Sequence, residues 1–154
     1  MFSRYSFHLR RLIVAGTFLL GAASMGAQAQ TEPVVRLPVT QLSAGIHTIQ
    51  AEIANSEETR RTGLMFRESM KATEGMLFVF EAPDQQCFWM KNTLIPLSVA
   101  FISDDGVIGN IADMAPQTLN PHCSKGAVRY VLEMNQGWFQ ERGITPGMRI
   151  NGLP

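Results

Sequence analysis

Beyond residue 30 the chain never sustains a helical period for long. It advances in short apolar runs, each closed by Gly, Pro, Asp or Asn. From Ile46 onward, His47, Ile49, Ala51 and Ile53 alternate with Thr48, Gln50 and Glu52, the period-two signature of a half-buried strand. Met76 to Phe80 is a continuous apolar run between Gly75 and Pro83, as suits a strand covered on both faces. Further strands are expected at Cys87 to Lys91, Leu97 to Ser103, Val107 to Met114, Ala127 to Asn135 and Met148 to Ile150. The Asp105-Gly106 pair marks a hairpin between two of these runs, Leu97 to Ser103 and Val107 to Met114. On the strand over 127–135, Val128, Tyr130, Leu132 and Met134 share one side, and Arg129 and Glu133 share the other with Val131. Only two short helices are indicated. One starts at Asn55 or Ser56 ahead of Glu57 and Glu58 and stops at Gly63; the other covers Gly137 to Arg142 and stops at Gly143. The expected fold is mainly β (β-rich α+β): a single compact antiparallel sandwich or barrel of about six to seven short strands with one or two short helices.

The N-terminus reads differently. Arg4, Arg10 and Arg11 precede an apolar run from Leu12 to Ala23, and the small residues Ala27 and Ala29 follow. This three-part pattern is that of a secretory signal peptide over residues 1–29, cleaved after Ala29. A membrane anchor is the alternative, but about 12 apolar residues fall short of the roughly 20 that a spanning helix needs. Residues 30–45, with Pro33 and Pro38, are expected to form an extended arm, and 46–154 a single β-rich domain. Residues 30–154 contain 13 acids and 10 bases, a formal charge of −3. That balance speaks against a nucleic-acid partner, and no segment suits a membrane surface once the signal is removed. A periplasmic or secreted location is therefore expected.

Both cysteines, Cys87 and Cys123, lie in the exported part, where an oxidising environment favours a disulfide. Without a C-x-x-C motif, stabilisation is a better reading than redox chemistry. Motifs for serine hydrolases, zinc proteases, phosphate loops and dinucleotide binding are absent. His122 adjoins Cys123, but neighbours in an extended segment point opposite ways and cannot pair as base and nucleophile. Met65, Met70, Met76, Met90, Met114, Met134 and Met148 form no M-x-M or M-x-x-M cluster, so core packing is a better reading than copper(I). The pair Asp104 and Asp105 lacks the further oxygen ligands of a calcium loop. No cofactor and no metal are expected.

Two polar-aromatic groups remain: GLMFRESM over Gly63 to Met70, and FWMKNT over Phe88 to Thr93 inside FWMKNTLIPLSVAFI. Together with EGMLFVF at Glu74 to Phe80, the DDG turn, VRYVLEMNQGWF at Val128 to Phe139 and GITPG at Gly143 to Gly147, they resemble domain-of-unknown-function family 192, over residues 47 to 150. The resemblance implies a compact β-rich domain, often exported, and implies no reaction. Many members carry an acid after the IPL segment where this chain has Ser98, so a role for an acid at that point does not carry over.

The residues Lys91, Asn92 and Thr93 stand side by side within an apolar stretch, where an unpartnered ammonium or amide is costly to bury. One reading is local: Lys91 reaches solvent, Asn92 makes a turn and Thr93 bonds nearby backbone. The other is a ligand-binding cleft lined by Arg67, Trp89, Lys91, Asn92 and Thr93 for a small polar, anionic or polyhydroxyl ligand. The expected function is a non-catalytic small-ligand-binding or interaction module of the cell envelope, its partner a small ligand or an envelope protein. Two alternatives stand beside it: an enzyme acting on envelope material through Lys91 and Arg67, and a purely structural accessory domain. The enzyme requires an acid such as Glu68, Asp113 or Glu133 beside Lys91 in a cleft.

Overall fold

A computed structural model describes residues 36–154, so the expected signal segment and the first part of the expected arm lie outside the described residues. In chain order the elements are β1 (Val39–Ala44), β2 (His47–Ala54), α1 (Glu57–Thr62), β3 (Glu74–Asp84), β4 (Cys87–Phe88), β5 (Leu97–Ile102), β6 (Ile108–Met114), β7 (His122–Cys123), β8 (Val128–Asn135), α2 (Trp138–Glu141) and β9 (Ile150–Asn151). Seven strands form one sheet in the order β6-β5-β8-β3-β2-β1-β9, and β4 and β7 form a separate ribbon. The expected β-rich fold is observed.

Two expectations need correction. First, the sheet is mixed, because β2 and β3 run parallel. A parallel pair requires a crossover, and α1 with the loop after it supplies one. Helix α1 is built for that place by local chemistry alone. Ser56 and Thr59 exchange the reciprocal bonds of a capping box, Glu57 and Glu58 occupy the first turn, and Arg60 and Arg61 the last. Second, the extended arm does not run to residue 45. Residues 39–44 are β1, paired along its whole length with β2 through the tight turn at Gly45-Ile46. Leu42 and Ala44 are buried, and Gly45 has φ 57, the conformation required at the first position of a two-residue hairpin loop. The Pro-rich start of the segment obscures an alternation that begins only at its end.

At one end the sheet curls until its edges meet. Val107 bridges Arg149, Ile108 donates its N–H to the Met148 carbonyl, and Ile150 donates to that of Gly106. The result is a half-barrel. The β5–β6 hairpin turns where the sequence indicates, with Gly106 at φ 85. A Cβ there would lie 3.1 Å from the Ile150 carbonyl oxygen, so both conformation and space require glycine.

Each face of the sheet carries its own core. All seven strands contribute to the enclosed one, through residues such as Leu42, Ile49, Leu77, Ile102, Ile108, Leu132 and Ile150, and Trp138 and Phe139 of α2 cap it. The opposite face holds Met76, Phe78, Leu97, Val99, Phe101 and Val131. It is covered by the loop after α1 (Leu64), the loop after β4 (Met90, Ile95) and Phe88 of the β4–β7 ribbon. Cys87 and Cys123 face each other across that ribbon and are joined by a disulfide. Closing a loop of 36 residues is worth roughly 3 to 4 kcal/mol in the chain-entropy model. Most methionines are ordinary filler: Met76, Met90 and Met114 pack in one core and Met134 in the other.

Candidate functional site

A cavity of about 300 Å³ opens on the second face, between α1, the loops covering the sheet and the ribbon. Leu64, Phe78, Phe80, Phe88 and Trp89 supply its apolar wall, and Phe78 and Phe88 meet edge to face at 4.8 Å. Gly63 permits the wall to close up, since a Cβ at that position would lie 3.2 Å from the Phe78 ring. The polar lining consists of Glu133, Thr93, Gln86, Thr62, Arg60 and Arg61.

Glu133 is the unusual member. It projects from the middle of β8 onto the face shared with Val131, with Met76 of β3 and Val99 of β5 as its partners in the two adjacent strands. Only 4% of its surface is exposed. Burial pushes its carboxyl up to about 8. No hydrogen bond or ion pair from the described residues reaches it, so at neutral pH it is a carboxylic acid with both donor and acceptor capacity unspent. Thr93 is also buried, and its hydroxyl has only a long bond, 3.5 Å, to the Lys91 carbonyl.

The sequence-expected cluster divides. Trp89 and Thr93 line the cavity, with Trp89 55% exposed at its mouth. Lys91 and Asn92 are exposed and do not line it. Asn92 adopts φ 57 and its carbonyl accepts the Phe66 N–H, which ties the two covering loops together. Phe66 (φ 61) and Gln117 (φ 58) are also left-handed, and Gln117 donates its N–H to the Thr93 carbonyl. These three are the only non-glycine residues of that conformation among the described residues, and all lie in loops bonded to one another beside the cavity. Such backbone costs on the order of 1 kcal/mol per residue and is retained where neighbours enforce it.

Arg67 is placed elsewhere. Its guanidinium forms a forked, buried pair with Glu52 of β2, Nη2 to Oε2 being 2.7 Å, and Glu52 also accepts from the Leu37 N–H and Arg36. Burial alone would raise the Glu52 carboxyl, but the bonds from Arg67, Leu37 and Arg36 override it and hold it at about 2. Arg67 and Glu52 line a separate, smaller cavity with Arg36 and Glu74. Of the acids that could have served Lys91, Glu68 is exposed and Asp113 accepts from the hydroxyl of buried Ser98, which in turn accepts the Gly137 N–H. Only Glu133 lines the cavity, and no ion pair joins it to Lys91. His47 packs edge-on against Trp138 at 6.2 Å, and His122 pairs with Phe88 across the ribbon. Among the described residues no group of three His, Cys, Asp or Glu side chains could hold a metal ion.

Residues 39–152 match the family model DUF192, described as an uncharacterized ACR. The chain belongs to this family. Two solved structures are similar at 34% identity. One is a candidate transcription regulator from Sinorhizobium meliloti 1021, with a TM-score of 0.73, covering 78% of this chain and 98% of that one. The other is a protein of unknown function from Novosphingobium aromaticivorans DSM 12444, with a TM-score of 0.74, covering 81% and 94%. No curated protein matches. Family membership thus fixes the fold and leaves the chemistry to the cavity.

Proposed function

We propose that this protein is an exported small-ligand-binding module of the cell envelope, and that its ligand occupies the cavity floored by Glu133 and Thr93 and entered past Trp89. The observation that carries this reading is the buried acid. A carboxyl drawn largely out of water, with no protein partner and its oxygens open only to the cavity, costs folding free energy that an alanine or leucine there would not. A group that a ligand can satisfy accounts for its presence there. The aromatic wall gives such a ligand apolar contact, and the volume suits a molecule about the size of one ring with a few substituents. The signal pattern at 1–29 and the Cys87–Cys123 disulfide support export to an oxidising compartment.

Catalysis through Lys91 and Arg67 has less support, because Arg67 is engaged by Glu52 and Lys91 stands outside the cavity. Transcription regulation, the role named for the Sinorhizobium protein, has less support, because a charge of −3 over residues 30–154 does not suit contact with nucleic acid. The test is a thermal-shift screen of small polar molecules on the full-length chain and on Met65→Trp, which fills the cavity from its half-buried wall. The expected result is at least one compound that raises the wild-type midpoint and leaves that of a folded Met65→Trp unchanged. No stabilising compound, or stabilisation that persists in Met65→Trp, would overturn the proposal.

A further inference from the structure

We infer that the ligand carries an organic ammonium group, seated on Glu133 at the cavity floor and against the rings of Phe78, Phe88 and Trp89. This rests on reading the cavity as a ligand site and names the chemistry that it selects. The cationic cleft expected from the sequence is not what the fold builds. Arg67 is committed to Glu52 and Lys91 lies outside, so the deepest polar groups are an acid and a hydroxyl. The strands beside Glu133 present Met76 and Val99, and among the described residues the other titratable groups lining the cavity are Arg60 and Arg61. Arg60 is spent on its own surroundings. Its Nη1 donates to the Asn55 and Val79 carbonyls at 2.8 and 2.9 Å, and its guanidinium lies over the Phe80 ring. Arg61 is exposed, where solvent screens it. Among the described residues no ion pair reaches the acid at the floor, and the cavity retains aromatic rings, which attract a desolvated cation. A neutral hydroxyl would meet the acid with one ordinary hydrogen bond; an ammonium meets it with charge, and the rings add to that preference.

Seating a cation converts the Glu133 carboxylic acid to a carboxylate, and the proton leaves to solvent. Affinity for a cation that does not itself titrate therefore rises with pH until the free carboxyl is ionised. With that carboxyl at about 8, binding at pH 6.5 should be about thirtyfold weaker than at pH 9, with close to one proton released at the lower pH. The experiment is titration calorimetry on the full-length chain with benzylamine, benzyl alcohol and benzoate at pH 7, and with benzyltrimethylammonium across pH 6.5 to 9. The expected result is benzylamine at least tenfold tighter than benzyl alcohol, no benzoate binding, the pH rise above, and loss of both effects in Glu133→Gln. Met65→Trp serves as a second variant that blocks the cavity without altering the acid. Equal binding of amine and alcohol, preference for benzoate, or cation binding that survives in folded Glu133→Gln would overturn the inference and leave the cavity standing as a site. So would a screen whose cavity-dependent hits are all neutral or anionic. A screen with no cavity-dependent hit overturns the site itself.

Discussion

Glu52 and Glu133 occupy matching places and behave in opposite ways. Both stand on the same face of the sheet, two strands apart: Glu52 pairs across to Met76, and Met76 to Glu133. At ordinary strand spacing they are about 10 Å apart. Both are nearly fully buried. One is held at about 2 and the other pushed to about 8. The difference comes from what the covering layer lowers onto each. The loop after α1 delivers the Arg67 guanidinium to Glu52, while over Glu133 it and the ribbon deliver Leu64, Phe88 and a void. One acid is part of the scaffold. The other is left for something from outside, and two acids driven apart in this way mark a division between structure and site.

Removing Arg67 should have the largest effect. Arg67→Ala leaves Glu52 with the exposed Arg36 as its one cationic partner among the described residues, and loss of one member of a buried pair costs about 3 to 5 kcal/mol. Urea denaturation at pH 7 checks this. A loss below about 1 kcal/mol would mean that the pair is not a strut.

The acids should also oppose each other in pH. Folding lowers the Glu52 carboxyl, so its contribution is complete above about 4.5 and is lost as pH falls toward 2. Folding raises that of Glu133, so the folded chain keeps a proton that the unfolded chain has released, and stability falls as pH rises from about 4.5 to about 8. Glu133→Gln, nearly isosteric with the acid form, should match wild type near pH 4 and exceed it by about 3 kcal/mol at pH 7. Denaturation midpoints at the two pH values decide this; parallel behaviour of both proteins would remove the contrast.

The smallest effect is expected at Lys91. As an exposed residue outside the cavity it should tolerate Lys91→Ala within about 0.5 kcal/mol, with the Glu133→Gln difference unchanged in that background. Any coupling of the two measured by a double-mutant cycle would return Lys91 to the site.

Much of this architecture is legible in the chain. Local chemistry marks the capping box at Ser56, the turn at Gly106 and the alternation of β8, because each is decided within a few residues. The parallel pairing of β2 with β3 and the inclusion of Val39–Ala44 are decided by contacts distant in sequence, which no short pattern records. The site divides along the same line. Trp89 and Thr93 draw attention as polar-aromatic neighbours in an apolar run. Arg67 draws it too, but only the fold shows that Glu52 has taken it. Glu133 left a signal that could have been followed further: it shares its side of the strand with Val131, and an acid beside a buried valine on a strand apolar on both faces is itself buried.

The most direct measurement is carbon-detected NMR titration of the glutamate side-chain carboxyls in the folded chain, with Glu133→Gln identifying the resonance. Glu133 should titrate near 8, and Glu52 well below the ordinary carboxylate range. An ordinary midpoint near 4.5 for Glu133 would mean that the acid is solvated or paired, and the cavity floor would no longer hold an unsatisfied group.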